Sequence, residues 1–152
     1  MKKVLFICHG NICRSPMAEF ILKSMVRRQG VEKQFEIHSA AVSREELGNP
    51  VYPPARRELA KHGLSCSGHA ARQITKEDYR MYDFLIGMDR GNLAGMRRVF
   101  GSDPEGKLHL LLDFTGAPRD VADPWYTDDF ETAYRDIEAG CLALLAYLTN
   151  RE

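Results

Sequence analysis

Cys8 and Arg14 bracket five residues in Cys8-His9-Gly10-Asn11-Ile12-Cys13-Arg14, and Ser15-Pro16 follows. If a loop curls between them, a thiol and a guanidinium at this spacing suit phosphoryl chemistry. The thiolate is the nucleophilic form of cysteine, and a helix N-terminus with cationic neighbours brings a thiol below its free pKa of ~8.5. The guanidinium is a planar fork that matches two oxygens of a phosphoryl group. Gly10 and Asn11 tolerate left-handed backbone angles, so successive N–H groups can turn inward around an anion at a helix start. Ser15 can hydrogen-bond the sulfur as it leaves. The expected reaction is attack of Cys8 on phosphorus, with negative charge on the equatorial oxygens met by oriented N–H donors. The intermediate is a phosphocysteine, and neither metal nor cofactor is called for.

Cleaving a phosphate ester also expels an alkoxide or phenolate, and tyrosine as leaving group has an unperturbed pKa near ~10. A carboxylic acid should protonate it and then serve as base for water. Asp123, in Val121-Ala122-Asp123-Pro124-Trp125-Tyr126, is the candidate. Pro124 biases Asp123 toward extended angles, which puts it in a loop. Trp125 and Tyr126 can wall a pocket for a flat substrate. Taken alone, Asp123-Pro124 reads as an ordinary turn with the aromatics covering the core; its pairing with the Cys8 loop favours the catalytic role.

The elements that must hold these groups are legible around them. Residues 3–8 contain the apolar run Leu5-Phe6-Ile7, which reads as a buried strand. Ser15-Pro16 reads as a helix start, with Ser15 as cap and Pro16 at the first helical position, in a helix reaching about Gln29. Residues 35–40 form the second strand. Pro53-Pro54 opens a helix that stops at Gly63. Residues 83–88 form the third strand, and a helix follows to Phe100. Residues 108–112 form the fourth strand. Asp128 and Glu131 make a capping-box signature, after which Phe130, Tyr134, Ile137, Cys141, Leu144 and Leu148 recur at helical spacing. Strand–helix alternation predicts an α/β three-layer sandwich with a central four-stranded parallel sheet and the phosphate loop between strand one and helix one. The site then lies at the carboxyl ends of the strands.

With both motifs in view, the chain resembles the low-molecular-weight protein tyrosine phosphatase family. The loop from Cys8 to Ser15, continued by Pro16-Met17-Ala18-Glu19, resembles the family's N-terminal signature, and Asp123-Pro124-Trp125-Tyr126 its acid loop. The match covers almost the whole chain. The resemblance implies Cys8 as nucleophile, Arg14 as phosphate clamp and Asp123 as general acid and base, with His9, Gly10, Asn11, Ile12, Cys13 and Ser15 forming the phosphate loop. It also implies that Asn11 holds a left-handed turn supported by Ser39 and His69, and that Asp89 anchors the loop. Asp89 also reads as a helix N-cap, and one residue can serve both roles. Ile12 stands where the family's arginine phosphatases carry threonine, which favours phosphotyrosine. Glu45 stands where the family often adds an aromatic, a departure that bears on substrate preference at a rim shared with Trp125 and Tyr126. Cys13 is implied as a redox partner that traps oxidised Cys8 as a disulfide. That idea fails if peroxide inactivates Cys13→Ser no less reversibly than the parent.

Composition excludes several other classes. The chain has 152 residues, read as one domain over 1–152, with 21 basic and 21 acidic side chains, which gives no argument for nucleic acid or an anionic membrane. No apolar run approaches the ~20 residues of a membrane span. The apolar stretch after Met1-Lys2-Lys3 ends at His9, too soon for a secretory signal, so a cytoplasmic location is expected. Cysteines 8, 13, 66 and 141 are then read as reduced. Cys66 and His69 alone do not make a zinc site. The expected partners are a phosphotyrosine-containing protein or peptide, with inorganic phosphate as product, acted on by a monomer. Two alternatives are weighed. An arsenate reductase-like thiol enzyme needs further cysteines close in sequence, and none follows Met88 nearby. A silent phosphate-binding module would not need Cys8, Arg14 and Asp123 together.

Overall fold

The computed structural model describes residues 1–150. Strand β1 (Lys2–Cys8) leads through the phosphate loop into α1 (Arg14–Arg28), and β2 (Phe35–Ala41) follows. Helices α2 (Pro53–Lys61) and α3 (Asp78–Met81) precede β3 (Phe84–Gly87). Then come α4 (Arg90–Phe100), β4 (Leu108–Leu110), the short α5 (Pro124–Thr127) and α6 (Phe130–Thr149). The four strands form one sheet in the order β2-β1-β3-β4, every pair parallel. Parallel neighbours require crossovers, and the helices that make them cover both faces. This is the expected three-layer α/β architecture.

β1 lies at the centre, which explains its unbroken apolar run. Alternate side chains of a strand point to opposite faces. Val4 and Phe6 pack with α1, α2 and α6, while Leu5 and Ile7 pack with Tyr79, Leu85 and Met96. All four are fully buried. In register, Cys8 pairs with Ala41 and Ile7 with Gly87, so the carboxyl ends of β1, β2 and β3 meet at one edge of the sheet. The loop, the segment after β2 and the start of α4 converge there.

Some element ends differ from expectation. β4 stops at Leu110, because it is an edge strand, and Leu111–Phe114 winds into a 3-10 turn. Leu111 packs there against α6 at Gly140, where an added Cβ would lie 2.5 Å from Leu111 Cγ. The cap of α6 is Asp129 rather than Asp128: Asp129 accepts the Thr132 N–H, at 3.0 Å. Asp128 instead takes the left-handed turn that ends α5, at φ 59°. Ser15 is not the cap of α1. The helix begins at Arg14 with Cys13 at the cap position, because the Ser15 hydroxyl is committed to the loop.

Candidate active site

The phosphate loop is shaped by Asn11, which is fully buried and sits at φ 59°. Its amide donates to Ser15 Oγ (2.8 Å) and Ser39 Oγ (2.9 Å), and its Oδ1 accepts from Arg72 N–H (3.2 Å). Its carbonyl lies 2.7 Å from His69 Nε2. Ser39 in turn donates to Glu19 Oε1 at 2.6 Å, and Glu19 pairs with Lys23. A buried polar cluster of this kind is stable only when every member is satisfied, and among the described residues no buried side-chain nitrogen or oxygen lacks a partner. The loop is therefore held before any anion arrives. Among the described residues the Gly10, Ile12 and Cys13 N–H groups have no protein acceptor, which leaves them available to a ligand.

Cys8 closes the floor, with Ser15 Oγ at 3.0 Å and Ser15 N–H at 3.4 Å from its sulfur. Cys13 shares the loop but not this setting. Burial, reinforced by negative charge at Cys8 and Asp123, pushes its thiol well above the ordinary cysteine range. The two cysteines thus differ in setting: Cys8 accepts the Ser15 N–H and shares a hydrogen bond with the Ser15 hydroxyl.

Arg14 is 2 % exposed and braced by two loops distant in sequence. Its Nη1 donates to Asp89 Oδ2 (2.8 Å) and to the Val121 carbonyl (2.7 Å), and its Nη2 lies 3.4 Å from Asp123 Oδ2. Burial disfavours its charge, but Cys8, Asp123 and Asp89 outweigh that and raise its pKa above the usual guanidinium value. It remains a fixed cation. Asp89 carries both readings at once: Oδ2 holds Arg14 while Oδ1 caps α4 by accepting Asn92 N–H at 2.7 Å. Asp123 has the extended angles that Pro124 favours, and it caps α5 through the Trp125 N–H at 3.0 Å. Its side chain is 24 % exposed, so a ligand in the cleft can reach it.

The cleft is lined by the loop together with Glu45, Glu46, Asp123, Trp125 and Tyr126. Glu45 is within 2.9 Å of His9 Nε2, and both are exposed. Trp125 leans on Tyr52, with ring centroids 4.9 Å apart, while Tyr126 is 83 % exposed. Every residue expected at the site from sequence thus lies in the loop, its support or its rim. Glu19, Glu46, Tyr52, Arg72 and Val121 join them without having been singled out. Glu19 had a signal, since it lies one helical turn after Ser15 in the quoted signature. The backbone groups of Arg72 and Val121 had none.

A helix N-terminus opening from a buried strand, with a thiol at its floor and a guanidinium beside it, makes an anion-binding cleft on an α/β fold. The sequence pattern of the family described as low molecular weight phosphotyrosine protein phosphatase matches residues 3–152. The chain is 37 % identical over 154 residues to the low molecular weight protein-tyrosine-phosphatase YfkJ of Bacillus subtilis, covering 100 % of this chain and 99 % of that one. The crystal structure of YfkJ superposes with a TM-score of 0.97 at 36 % identity, covering 100 % of this chain and 97 % of that one. The human low molecular weight phosphotyrosine protein phosphatase is 38 % identical over 149 residues, covering 95 % of this chain and 94 % of that one. The structure of a Drosophila arginine phosphatase superposes with a TM-score of 0.89 at 30 % identity over 100 % of both chains. The chain belongs to the low molecular weight phosphotyrosine protein phosphatase family and is an enzyme of that kind.

Proposed function

We propose that the chain hydrolyses phosphotyrosine in proteins or peptides through a phosphocysteine at Cys8, releasing inorganic phosphate. The observation that carries this is the convergence of Cys8, Arg14 and Asp123 on one cleft. The phosphoryl group sits over the loop, its oxygens taken by loop N–H groups and by Arg14. Holding the donors in place beforehand means little reorganisation when charge develops. Cys8 attacks in line, and the bond from phosphorus to the phenolic oxygen breaks. Asp123, protonated, gives its proton to that oxygen. Water then attacks the phosphocysteine, Asp123 takes its proton, and Cys8 leaves as a thiolate stabilised by the Ser15 hydroxyl.

The setting of the remaining groups supports this reading over the alternatives. A thiol relay needs, beyond Cys13 in the loop, a further cysteine that can reach the site. Cys141 is fully buried, with its sulfur turned to the Ala18 carbonyl, and Cys66 lies in the segment after α2. One copy of the chain carries Cys8, Arg14 and Asp123, so the reaction needs no second subunit and we take the monomer as the working unit. All four cysteines are free thiols, which suits a reducing compartment such as the cytoplasm. Among the described residues no helix is long and apolar enough to cross a membrane. Ile12 in the loop favours phosphotyrosine over phosphoarginine.

The test is metal-free hydrolysis of p-nitrophenyl phosphate and of a phosphotyrosine peptide by the parent, Cys8→Ser and Asp123→Ala. Cys8→Ser is expected to abolish turnover of both. Asp123→Ala is expected to cost about 10²–10⁴-fold on the peptide, as for loss of a general acid, and less on the better nitrophenolate leaving group. Turnover by Cys8→Ser overturns the covalent route, and equal losses on both substrates remove Asp123 as the acid.

A further inference from the structure

The catalytic cleft continues sideways into a second groove. The groove shares His9, Arg14, Asp123 and Tyr126 with the cleft and runs on over Val42, Ser43, Gly91, Gly95, Arg98 and Val99. Both of its walls are tied to the phosphoryl site. On one side, Val42 N–H bonds the Cys8 carbonyl (2.9 Å) and Ser43 N–H the His9 carbonyl (3.0 Å). On the other, α4 is capped by Asp89, the same carboxylate that holds Arg14. The walls approach closely because residue 95 is glycine: a Cβ there would lie 2.5 Å from Val42 Cγ1. The groove therefore has a fixed position relative to a bound phosphoryl group.

Its charges are nearly all spoken for. Arg14 is held by Asp89 and Asp123, and Arg90, also on α4, pairs with Asp120 at 3.6 Å. Arg98 is exposed, and among the described residues its guanidinium has no carboxylate partner. Glu45 and Glu46 line the cleft and not the groove, whereas Arg98 lines the groove and not the cleft. The groove also carries Asp89, already bound to Arg14, so Arg98 is its one arginine without a carboxylate partner among the described residues.

We propose that this groove is a subsite for the residues flanking phosphotyrosine, with Arg98 binding an aspartate or glutamate side chain of the substrate. The proposal rests on the phosphotyrosine reading of the cleft and adds a preferred substrate class to it. Val42 and Val99 contact the stem of the flanking segment, the Arg98 fork takes its carboxylate, and Glu45 and Glu46 disfavour a carboxylate in the cleft itself. The rim thereby sets the direction in which a phosphopeptide lies.

The experiment uses phosphotyrosine peptides on an alanine background. A single aspartate is moved from three residues before to three residues after the phosphotyrosine, with lysine peptides in parallel and p-nitrophenyl phosphate as the short control. At one or two neighbouring positions, all on one side, aspartate is expected to raise kcat/KM of the parent about two- to fivefold over alanine, the size of an exposed ion pair. The gain should shrink as salt is added. Arg98→Lys should keep the preference, and Arg98→Glu should invert it in favour of lysine at the same position. Neither should change kcat/KM for p-nitrophenyl phosphate, which does not extend into the groove. No preference at any position in the parent, or an aspartate preference that survives Arg98→Glu, overturns the subsite. So does a fall in p-nitrophenyl phosphate turnover in Arg98→Glu, which would make Arg98 part of the general scaffold. Failure of the parent on p-nitrophenyl phosphate and every peptide would instead strike the phosphatase reading itself.

Discussion

Replacing Asn11 tests whether the loop is held by its side-chain bonds, by its backbone angle, or by both. The site is fully buried at φ 59°, and the side chain makes hydrogen bonds to Ser15, Ser39 and Arg72. Asn11→Gly keeps the backbone angle and loses the bonds; Asn11→Ala loses the bonds and strains the angle. Three bonds at about 1 kcal/mol each put the shared loss near ~3 kcal/mol. Alanine in the left-handed region costs about 1–2 kcal/mol more. Alanine regains about 0.4–1 kcal/mol because it restricts the unfolded chain relative to glycine. Asn11→Ala should therefore be less stable than Asn11→Gly by ~0.8 kcal/mol at the midpoints of these two ranges. At this chain length the shared loss corresponds to a Tm lower by roughly 6–12 °C. Urea unfolding monitored by far-UV circular dichroism reads the differences, with the m-value checking that the unfolded states match. In the same preparations kcat/KM on p-nitrophenyl phosphate should fall for both variants, because the loop N–H groups lose their fixed aim. A total loss below 1 kcal/mol in both would refute the network as the loop's support, and an alanine variant as stable as the glycine one would refute backbone strain.

Two further outcomes follow from other parts of the structure. Asparagine caps helices as well as aspartate does, so Asp89→Asn should leave the stability of α4 nearly unchanged while removing the anion that braces Arg14. Its kcat/KM on p-nitrophenyl phosphate should drop, with the phosphate inhibition constant rising in step; full activity would show that the Val121 carbonyl and Asp123 place Arg14 without the Asp89 charge. Tyr134 packs flat on His62, and burial, with the Glu138 charge, pushes its hydroxyl from 10.0 to about 12. The folded state therefore keeps a proton that the unfolded chain gives up above pH 10, and the associated stability is lost as pH rises from 10 toward 12. Urea midpoints of Tyr134→Phe should fall less steeply over that window than those of the parent, and parallel curves would contradict the assignment.

The local chemistry of this chain was legible in order along the sequence. Leu5-Phe6-Ile7 signalled a strand buried on both faces, and the residues after it signalled a curled loop opening a helix, because a glycine, an asparagine and an arginine each have few structural uses at such spacing. Asp123 before Pro124 was readable for the same reason, since proline restricts its neighbour without help from the rest of the fold. Helix ends were read less well. Ser15 carries the composition of a cap, yet its hydroxyl faces Cys8 and Asn11, and Asp128 yielded the cap of α6 to Asp129. Local propensity weighs less than one well-placed tertiary hydrogen bond, so neighbouring polar residues exchange roles.

By itself the sequence singled out Cys8, Arg14 and Asp123 and determined the strand–helix order, because each depends on residue type and short-range spacing. Only the tertiary structure decided what holds them. The Val121 carbonyl that braces Arg14 lies 107 residues away, and the Arg72 N–H that meets Asn11 lies 61 residues away; both are backbone groups that any residue could supply. Glu19 became a support only when the β1–β2 pairing brought Ser39 beside α1. Arg98, one of several exposed arginines in the sequence, stands apart only because parallel strand order brings α4 beside the segment after β2 and sets it in the groove next to the cleft. Pattern along the chain specifies which groups can react; the packing of distant segments specifies which are held, which are paired and which are left to meet a substrate.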